Sequence, residues 1–423
     1  MPQAEQAASP AIQGPLRTRL AWLAALSFAS GFPFGLVNET LPVYLRTHGA
    51  SLVDIGLVSA LSFPWTFKFL WSPLVDRMGT RRQWIAACLA GLTLITLLFS
   101  RVDFETLMQP AWHPLGGQLG GAAALISRPF WIALLLMVFL SATQDIAIDA
   151  YTIEATTTSE LGVANSVRIA AYRIAMFTAG GLLIWLAGRA DWAMSFQVGT
   201  VLVAGLTLLA LLLPTAPRSA GPQVAIWEPL RALVRRPGIW AVALFAMLFK
   251  LDIYAMDPMT RPFWVDRGFT LEEIGAILTT GRILATVAGA VIGGVLTTRW
   301  GIFRALWVLG LVQALSSLGY AGAAIAAPSK PLLAGVALFE NFAHGLGTAA
   351  FVAFLMSVCE RRYAATQYAV LSALLALGRT VAGAGSGVLA EHLGYGHYFL
   401  VTFLLGLPAF ALLPAIRHAA AHD

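Results

Sequence analysis

The chain has 423 residues, of which 58% are hydrophobic and only 11% are charged. Because soluble globular chains carry roughly a quarter charged residues, this composition excludes that class and indicates a polytopic α-helical membrane protein. The net charge of +6 comes mostly from arginines in short loops, so it does not indicate a nucleic-acid partner. The cysteines, Cys88 and Cys359, lie far apart in apolar segments; they predict no disulfide framework and no metal cluster, and no cofactor is expected.

Apolar stretches long enough to cross a bilayer follow one another and predict twelve membrane helices. The first six cover residues 20–46, 52–75, 83–101, 129–153, 161–188 and 192–214; the second six cover 237–264, 270–297, 304–327, 331–359, 364–391 and 396–416. The predicted organisation is a disordered cytosolic tail (1–16) without a cleaved signal peptide, a six-helix bundle (17–214), a cytosolic linker (215–236), a second six-helix bundle (237–417) and a tail (418–423).

One connection, residues 67–82, indicates the orientation. An apolar segment that carries Lys68 reaches Pro73 and breaks into a short loop rich in Asp and Arg, and the next apolar segment begins at once. Loops on this side carry more arginine than loops on the other side, so the positive-inside rule predicts that this side, with both termini, is cytosolic. We expect a charge network here to act as a cytosolic gate; its predicted members are Asp76, Arg77, Arg81, Arg82 and Asp149.

The sequence repeats itself internally. HGASLVDI at 48–55 resembles RGFTLEEI at 267–274, at an offset of 219 residues. Arg173, Gly181 and Gly188 match Arg379, Gly387 and Gly394 at an offset of 206. Two six-helix halves in the same orientation are typical of major facilitator transporters, in which the substrate site lies between the halves near the membrane midplane.

Glycines inside the spans predict two packing features. The run GFPFG at 31–35 would bend or loosen the first helix, because Pro33 removes a backbone hydrogen bond. In the eleventh span, Gly383, Gly385 and Gly387 form a small-residue face that is suited to close helix packing.

Charged residues inside the spans are candidates for function, since each costs roughly 2.5–3.5 kcal/mol at the bilayer centre on insertion scales. Asp145 and Asp149 lie one helical turn apart on one face of the fourth span. Asp145 either takes a proton or meets a polar substrate group, or forms a structural ion pair with Lys68. Asp149, near the helix end, is expected to be mainly structural. Lys68 is expected to have an internal partner.

Two further carboxylates, Glu39 and Asp257, occupy corresponding places before Pro42 and Pro262. With Asp145 they are the candidates for proton coupling, the alternative for this pair being a carboxylate balanced by Arg46 or Arg261. The candidates for substrate contacts are Lys68, Gln144, Arg168, Arg173, Lys250, Glu340, Asn341 and Arg379.

Several motifs resemble one family. FKFLWSP at 67–73 with Asp76-Arg77, QDIAIDAY at 144–151, YRIAM at 172–176 with Gly180-Gly181, and ASGFP at 29–33 are similar to the AmpG muropeptide permeases, which are themselves similar to acetyl-CoA transporters and to certain ferri-siderophore importers. The match is dense over about 25–190 and weaker in the second half. The resemblance implies a proton-driven importer of anhydro-muropeptides in the bacterial inner membrane, with protons, the lipid bilayer and a small-molecule substrate as partners and a monomer as the expected state.

Three alternatives remain open at this stage. The segment 48–65 reads more like the siderophore importers, so the cargo is alternatively a ferri-siderophore or another organic anion. Asp145 and Asp149 resemble the magnesium-binding aspartates of membrane prenyltransferases, but a second aspartate-rich motif is absent from a comparable loop, so an enzyme is not expected. A membrane sensor that does not transport is the third alternative.

Overall fold

The structure is a computed structural model that describes residues 14–109, 128–156, 160–215, 234–235, 238–277, 281–327, 329–358 and 364–420. Most of the predicted linker, Cys359 and residues 1–13 therefore lie outside the described part. Within it the secondary structure is helical throughout, and eleven stretches are long and apolar enough to cross a membrane. This agrees with the polytopic class that the composition predicts.

The membrane helices are numbered here in chain order. The first six are α1 (Leu16–Thr47), α2 (Leu52–Leu70), α3 (Arg81–Arg101), α4 (Pro129–Ala155), α5 (Leu161–Phe177, continued to Arg189) and α6 (Trp192–Leu211). They are followed by α7 (Ile239–Asp266), α8 (Arg282–Trp300), α9 (Ile302–Ile325), α10 (Lys330–Val358) and the long run Ala364–Ala420. That run has non-helical backbone at Gly394 (φ 69°, ψ 158°), so it consists of α11 before Gly394 and α12 after it. Counted so, the described helices are consistent with the twelve predicted spans.

The helix α1 does loosen, but one turn later than Pro33. It runs through Pro33 and widens into a π-helical turn at Leu36–Thr40, and α5 has a similar turn at Thr178–Leu182. The two turns pack together, and the Thr40 hydroxyl donates to the carbonyl of Ala179 at 2.7 Å. Single π-helical turns of this kind often occur at functional sites.

The predicted span 52–75 is not one helix, and this corrects the sequence analysis. The chain forms an α-helix at Leu52–Ala60, a short helix at Phe63–Phe67, a 3₁₀ turn at Lys68–Leu70 and a new helix at Ser72–Arg77. Prolines explain the breaks before Phe63 and before Ser72. Pro64 and Pro73 each lie in the first turn of the helix that follows, where a missing N–H costs nothing.

The chain forms two compact units. The first contains Met1–Tyr44 and Phe67–Gly221, and the second contains Leu45–Thr66 and Pro222–Asp423. In the first unit α1 packs on α5 and α3 packs on α4 and α6. In the second unit α8 and α9 pack on α10, and Leu52–Ala60 packs on the run that contains α11. The predicted boundaries of the two six-helix bundles, at residues 214 and 237, were drawn from the sequence repeats, and they stay a prediction.

Local structure repeats where the sequence repeats. Gly49 and Gly268 both adopt positive φ, 78° and 76°. Two residues later, Ser51 caps the next helix with Asp54 as its reciprocal partner, and Thr270 does the same with Glu273. Because a capping box needs a hydroxyl and an acidic or amide side chain three residues apart, the similar octapeptides build the same helix start twice.

Two of the three predicted packing glycines lie at a helix contact within the second unit. A methyl group on Gly387 would lie 2.8 Å from the carbonyl carbon of Leu52, and one on Gly383 would lie 2.6 Å from the Cβ of Ser59. A methyl group on Gly385 would have no described atom within 4 Å. The small-residue face therefore consists of Gly383 and Gly387, one helical turn apart, and including Gly385 in it was wrong.

We predict that Gly387→Ala destabilises the protein by about 1–3 kcal/mol, because the added methyl group overpacks a backbone contact. Gly385→Ala is the matched control, since alanine favours helix by about 1 kcal/mol over glycine and here meets open space. The measurement is the thermal unfolding temperature in detergent. Equal shifts in the two variants would contradict the packing assignment.

Candidate functional site

The first unit contains a cluster of two acidic and two basic side chains. Lys68 Nζ, in the 3₁₀ turn of α2, lies 3.5 Å from Asp149 Oδ2 and 4.0 Å from Asp145 Oδ2. Arg168 of α5 donates to Asp149 Oδ1 at 2.6 Å, and the Ser30 hydroxyl of α1 donates to Asp145 Oδ1 at 2.6 Å. Lys68 thus has the internal partners that its depth predicts. We call these five residues the lysine cluster.

The two carboxylates of the lysine cluster are held differently. Asp149 faces both cations and its side chain is 52% exposed, whereas the Asp145 side chain is 19% exposed and has one cation at 4.0 Å. Losing the charge of Asp149 would break two close ion pairs. Losing the charge of Asp145 would leave those pairs in place. Asp145 is therefore the carboxylate of the cluster that can be protonated, or can bind a ligand, with the smaller loss of ion pairs.

Gln144, beside Asp145, is fully buried, yet neither atom of its carboxamide makes a hydrogen bond within the described residues. A buried polar group left unsatisfied costs roughly 1–3 kcal/mol, and such groups are usually paired with protein or with ordered water. The carboxamide is therefore ready to pair with a further polar group.

Glu39 lies in the π-helical turn of α1 and packs against the matching turn of α5. A methyl group on Gly180 would lie 2.7 Å from the Glu39 Cβ, so only glycine fits there without a shift. Arg46, which the sequence left open as a counter-charge for Glu39 or Asp257, forms a two-bond ion pair with Asp266 instead, at 2.7 and 2.6 Å. Tyr395 also donates to Asp266, at 2.7 Å.

The second unit contains three arginines around one carboxylate. Asp257 Oδ1 lies 3.2 Å from Arg261 Nη1 and accepts a hydrogen bond from Arg282 Nη2 at 2.9 Å. Asp257 Oδ2 lies 3.6 Å from Arg379 Nη2. Arg282 Nε also donates to Asn341 Oδ1 at 2.8 Å. We call these five residues the arginine cluster; it brings together three predicted site residues, Asp257, Asn341 and Arg379.

Glu340 joins the arginine cluster through its neighbour. The Asn341 carboxamide donates to Glu340 Oε2 at 2.9 Å and to the carbonyl of Ala337 at 2.8 Å. Both side chains are buried. Asn341 therefore links a guanidinium and a carboxylate, and its orientation is fixed on both sides.

Lys250 is buried at a break in α7, where its backbone leaves the helical region (φ −111°, ψ 2°). Its Nζ donates to Gln313 Oε1 of α9 at 2.7 Å and to Thr348 Oγ1 of α10 at 2.8 Å. Asp252 is buried nearby, and its carboxylate accepts no hydrogen bond of normal geometry within the described residues. Lys250, predicted as a substrate contact, is thus held by internal polar groups.

The loop residues predicted as a gate fall into separate environments. Arg81 lies 3.2 Å from Glu154 at the end of α4, within the first unit, and Arg77 and Arg82 are exposed. The side chain of Asp76 lies outside the described part of the chain. Arg173, predicted as a substrate contact, is exposed on α5. The gate stays a prediction.

The sequence offered Arg261 as a counter-charge, and Arg261 lies 3.2 Å from Asp257, one helical turn away. Several other partners were missed. Gln313 and Thr348 carry no local signal, since uncharged polar residues gain meaning only from what packs on them. Glu154 is recognisable as a charge inside a span, but its pairing with Arg81 was missed. The ion pair between Arg19 and Glu160, at 2.6 Å, was missed as well.

Comparisons with known proteins place these clusters in a family context. The sequence profile of the Major Facilitator Superfamily matches residues 23–383. The anhydromuropeptide permease of Escherichia coli is 34% identical over 410 residues, which cover 94% of this chain and 80% of that protein. An AmpG transporter of Rickettsia conorii is 27% identical, with 93% and 95% of the two chains covered. These relatives are permeases and transporters, so the prenyltransferase alternative is dropped.

Solved structures match the fold at low sequence identity. A bacterial homologue of the human lysosomal transporter Spinster superposes with a TM-score of 0.74 at 14% identity, covering 96% of this chain and 98% of that chain. A D-xylose–proton symporter superposes with a TM-score of 0.68 at 12% identity, covering 94% and 97%. At these identities the match concerns the fold alone.

We predict that Lys250→Met lowers the free energy of unfolding by about 1–3 kcal/mol, because it leaves the side-chain oxygens of Gln313 and Thr348 without their charged donor. The double variant Lys250→Met with Gln313→Leu should recover part of that loss, because it removes one of the two orphaned acceptors. Lys330→Met is the matched control: Lys330 pairs with Glu273 at an exposed site, where about 0–1 kcal/mol is expected. Thermal unfolding in detergent measures all three, and equal losses at Lys250 and Lys330 would contradict the assignment.

Proposed function

The chain belongs to the major facilitator superfamily and, within it, to the family of the Escherichia coli anhydromuropeptide permease, and from that membership we propose that it transports anhydro-muropeptides. The proposed cargo is the class of GlcNAc-anhydro-MurNAc peptides, carried from periplasm to cytosol across the bacterial inner membrane by alternating access. We propose further that the transporter works as a monomer and that both of its termini lie in the cytosol. The observation that carries the proposal is 34% identity to that permease along 94% of this chain.

The polar side chains inside the helices suit such a cargo. A sugar-peptide offers hydroxyls and amides, which need hydrogen-bonding partners, and carboxylates, which need cations. Lys68, Gln144 and Arg168 supply both kinds of group in the first unit. Arg379 and Asn341 supply them in the second unit, and Arg173 and Lys250 remain secondary candidates. Groups of this kind are costly in a membrane unless they are paired or serve transport.

We assign proton coupling first to Asp145 and second to Glu39. Asp145 has the Ser30 hydroxyl and a cation at 4.0 Å as partners, so a proton can replace its charge without breaking the close pairs of Asp149. Neutralising a carboxylate removes most of the cost of carrying it through a rearrangement inside the membrane. Glu39 lies in the π-helical turn of α1, and single turns of this kind often occur at functional sites.

An organic anion other than a muropeptide, such as a ferri-siderophore, is the second candidate. The arginine cluster is compatible with it as well as with a muropeptide, because guanidinium groups bind the carboxylates of many cargoes. The lysine cluster offers no discrimination between the two, since it also presents cations and an amide. The cargo therefore has to be decided by direct uptake.

The deciding experiment measures uptake of radiolabelled anhydro-muropeptide into right-side-out membrane vesicles that contain the protein, with and without an acid-outside pH gradient. We expect uptake above that of vesicles lacking the protein, and more of it with the gradient. A labelled ferri-siderophore is tested in parallel. Uptake of the siderophore without uptake of the muropeptide would select the second candidate.

We predict that Asp145→Asn reduces gradient-driven uptake to the level measured without a gradient, because the amide can no longer take up and release a proton. Asp191→Asn is the matched control: Asp191 is an exposed aspartate that caps α6, and the variant should keep the gradient response. Uptake is measured at external pH values from about 5 to 8, the range in which physiological pH switches titrate. An unchanged gradient response in Asp145→Asn would remove this residue from coupling.

A further inference from the structure

Asp252 of α7 is a buried carboxylate that belongs to neither the lysine cluster nor the arginine cluster. It is 1% exposed, and neither of its carboxylate oxygens accepts a hydrogen bond of normal geometry from a described residue. The Gln313 side chain and the Ile253 N–H lie close to it without meeting that geometry. An ionised carboxylate among apolar helices is costly unless it is paired and hydrogen-bonded, so Asp252 calls for a further partner.

Lys250 lies near Asp252 in sequence but directs its hydrogen bonds elsewhere. Its ammonium, two residues before Asp252, donates to Gln313 Oε1 at 2.7 Å and to Thr348 Oγ1 at 2.8 Å. Those two bonds hold it toward α9 and α10. The charge of Lys250 still acts on Asp252 through space. Lys250 is therefore a fixed positive charge in the neighbourhood of Asp252, and it leaves the hydrogen-bonding capacity of the carboxylate unused.

The charged and titratable groups around Asp252 include a second acid. These groups are Lys250 and Tyr254 of α7, Glu340 of α10 and, beside Tyr254, Arg379 of α11. The Glu340 carboxylate repels a negative charge on Asp252, and the Lys250 ammonium attracts one. Lys250 also acts on Glu340, so it keeps an acidic neighbour when Asp252 is neutral. Asp252 can therefore change its charge while Lys250 retains a negative group nearby.

We propose that Asp252 is a proton-binding residue for transport, which holds a proton in the buried arrangement described here and releases it when α12 moves away from α7. The proposal rests on the proton-coupled transport function given above, and it adds a carboxylate of the second unit to Asp145 and Glu39. Binding forms an O–H bond between a carboxylate oxygen and a proton that water delivers from the periplasm. Release breaks that bond and returns the proton to water in the cytosol.

The cover that α12 places over the carboxylate is bare backbone. A methyl group on Gly406 would lie 3.1 Å from the Asp252 Cβ and 3.4 Å from its Oδ2. Because glycine has no side chain to fill a gap, a small separation of the two helices gives water access to the carboxylate. Water and the fixed charge of Lys250 then stabilise the anion. With the helices in contact, the neutral acid avoids the cost of a buried charge without hydrogen bonds.

Infrared spectroscopy reads the protonation of Asp252 directly. Spectra of the purified protein in lipid bilayers are compared for the wild type and Asp252→Asn at pH values from about 5 to 8. We expect the substitution to remove the C=O band of a protonated carboxylic acid at the acid end of this range. Asp191→Asn is the matched control and should remove carboxylate bands instead, because Asp191 is exposed to water at the start of α6. Loss of carboxylate bands at every pH in Asp252→Asn would overturn the proposal.

Thermal unfolding gives a second readout of the same variant. Asparagine has nearly the shape of a protonated aspartate and the same lack of charge, so at the acid end of the range Asp252→Asn should shift the unfolding temperature by less than about 2 °C. A larger loss of stability there, or a variant that fails to fold, would show that the fold needs the ionised carboxylate. Either result would overturn the proposal.

Transport tests the role of the bound proton. In vesicles, Asp252→Asn should bring gradient-driven uptake of labelled anhydro-muropeptide down to the level measured without a gradient, because the amide cannot release a proton. Exchange of labelled for unlabelled cargo needs no net movement of protons and should continue. Asp191→Asn should keep the gradient response. An unchanged gradient response in Asp252→Asn would overturn the coupling role of Asp252.

The outcomes separate this inference from the transport function. The acid band of Asp252 without any uptake by the wild type would overturn the transport function and leave the proton-binding site standing. Carboxylate bands over the whole pH range, with gradient-driven uptake intact, would overturn the site while transport stands. Such bands would also be the result if ordered water kept Asp252 ionised.

Discussion

The structure depends on one constraint: an ionised side chain among apolar helices must have a partner. Water cannot supply it there, and the cost of an isolated charge is several times that of most single contacts. Two groups of the described intramembrane charges meet this demand by clustering. Asp149 shares Lys68 and Arg168, and Asp257 shares three arginines. Because each cluster draws its members from separate helices, charge compensation also fixes how those helices pack within their unit.

The lysine cluster and the arginine cluster compensate their charges in different ways. The lysine cluster balances two carboxylates with two cations, so a change in protonation at Asp145 alters a balanced site. In the arginine cluster three guanidinium groups share the carboxylate of Asp257, and Asn341 links Arg282 to Glu340. The proton-coupling proposal rests on the first of these two arrangements.

The sequence predicted the polytopic helical class, and the described helices are consistent with its twelve spans, because apolar length is a local signal. It also predicted Lys68 beside Asp145 and Asp149 from their depth along the helices. It did not predict the break of the second span, where Pro64 and Pro73 start new turns, nor that Gly385 faces away from the contact made by Gly387. Partners such as Gln313 and Thr348 could not be predicted from the sequence, because their role exists only through their contacts with Lys250.

Lys250 shows why a buried charge need not be a substrate contact. Its ammonium is satisfied by two side-chain oxygens and lies 5.7 Å from the ring centroids of Phe249 and Phe351. An ammonium bound in this way has used two of its three donors on the protein, whereas a guanidinium has five donors in a planar fork. That difference in donor geometry makes Lys250 a weaker candidate than Arg379 for the proposed cargo contact.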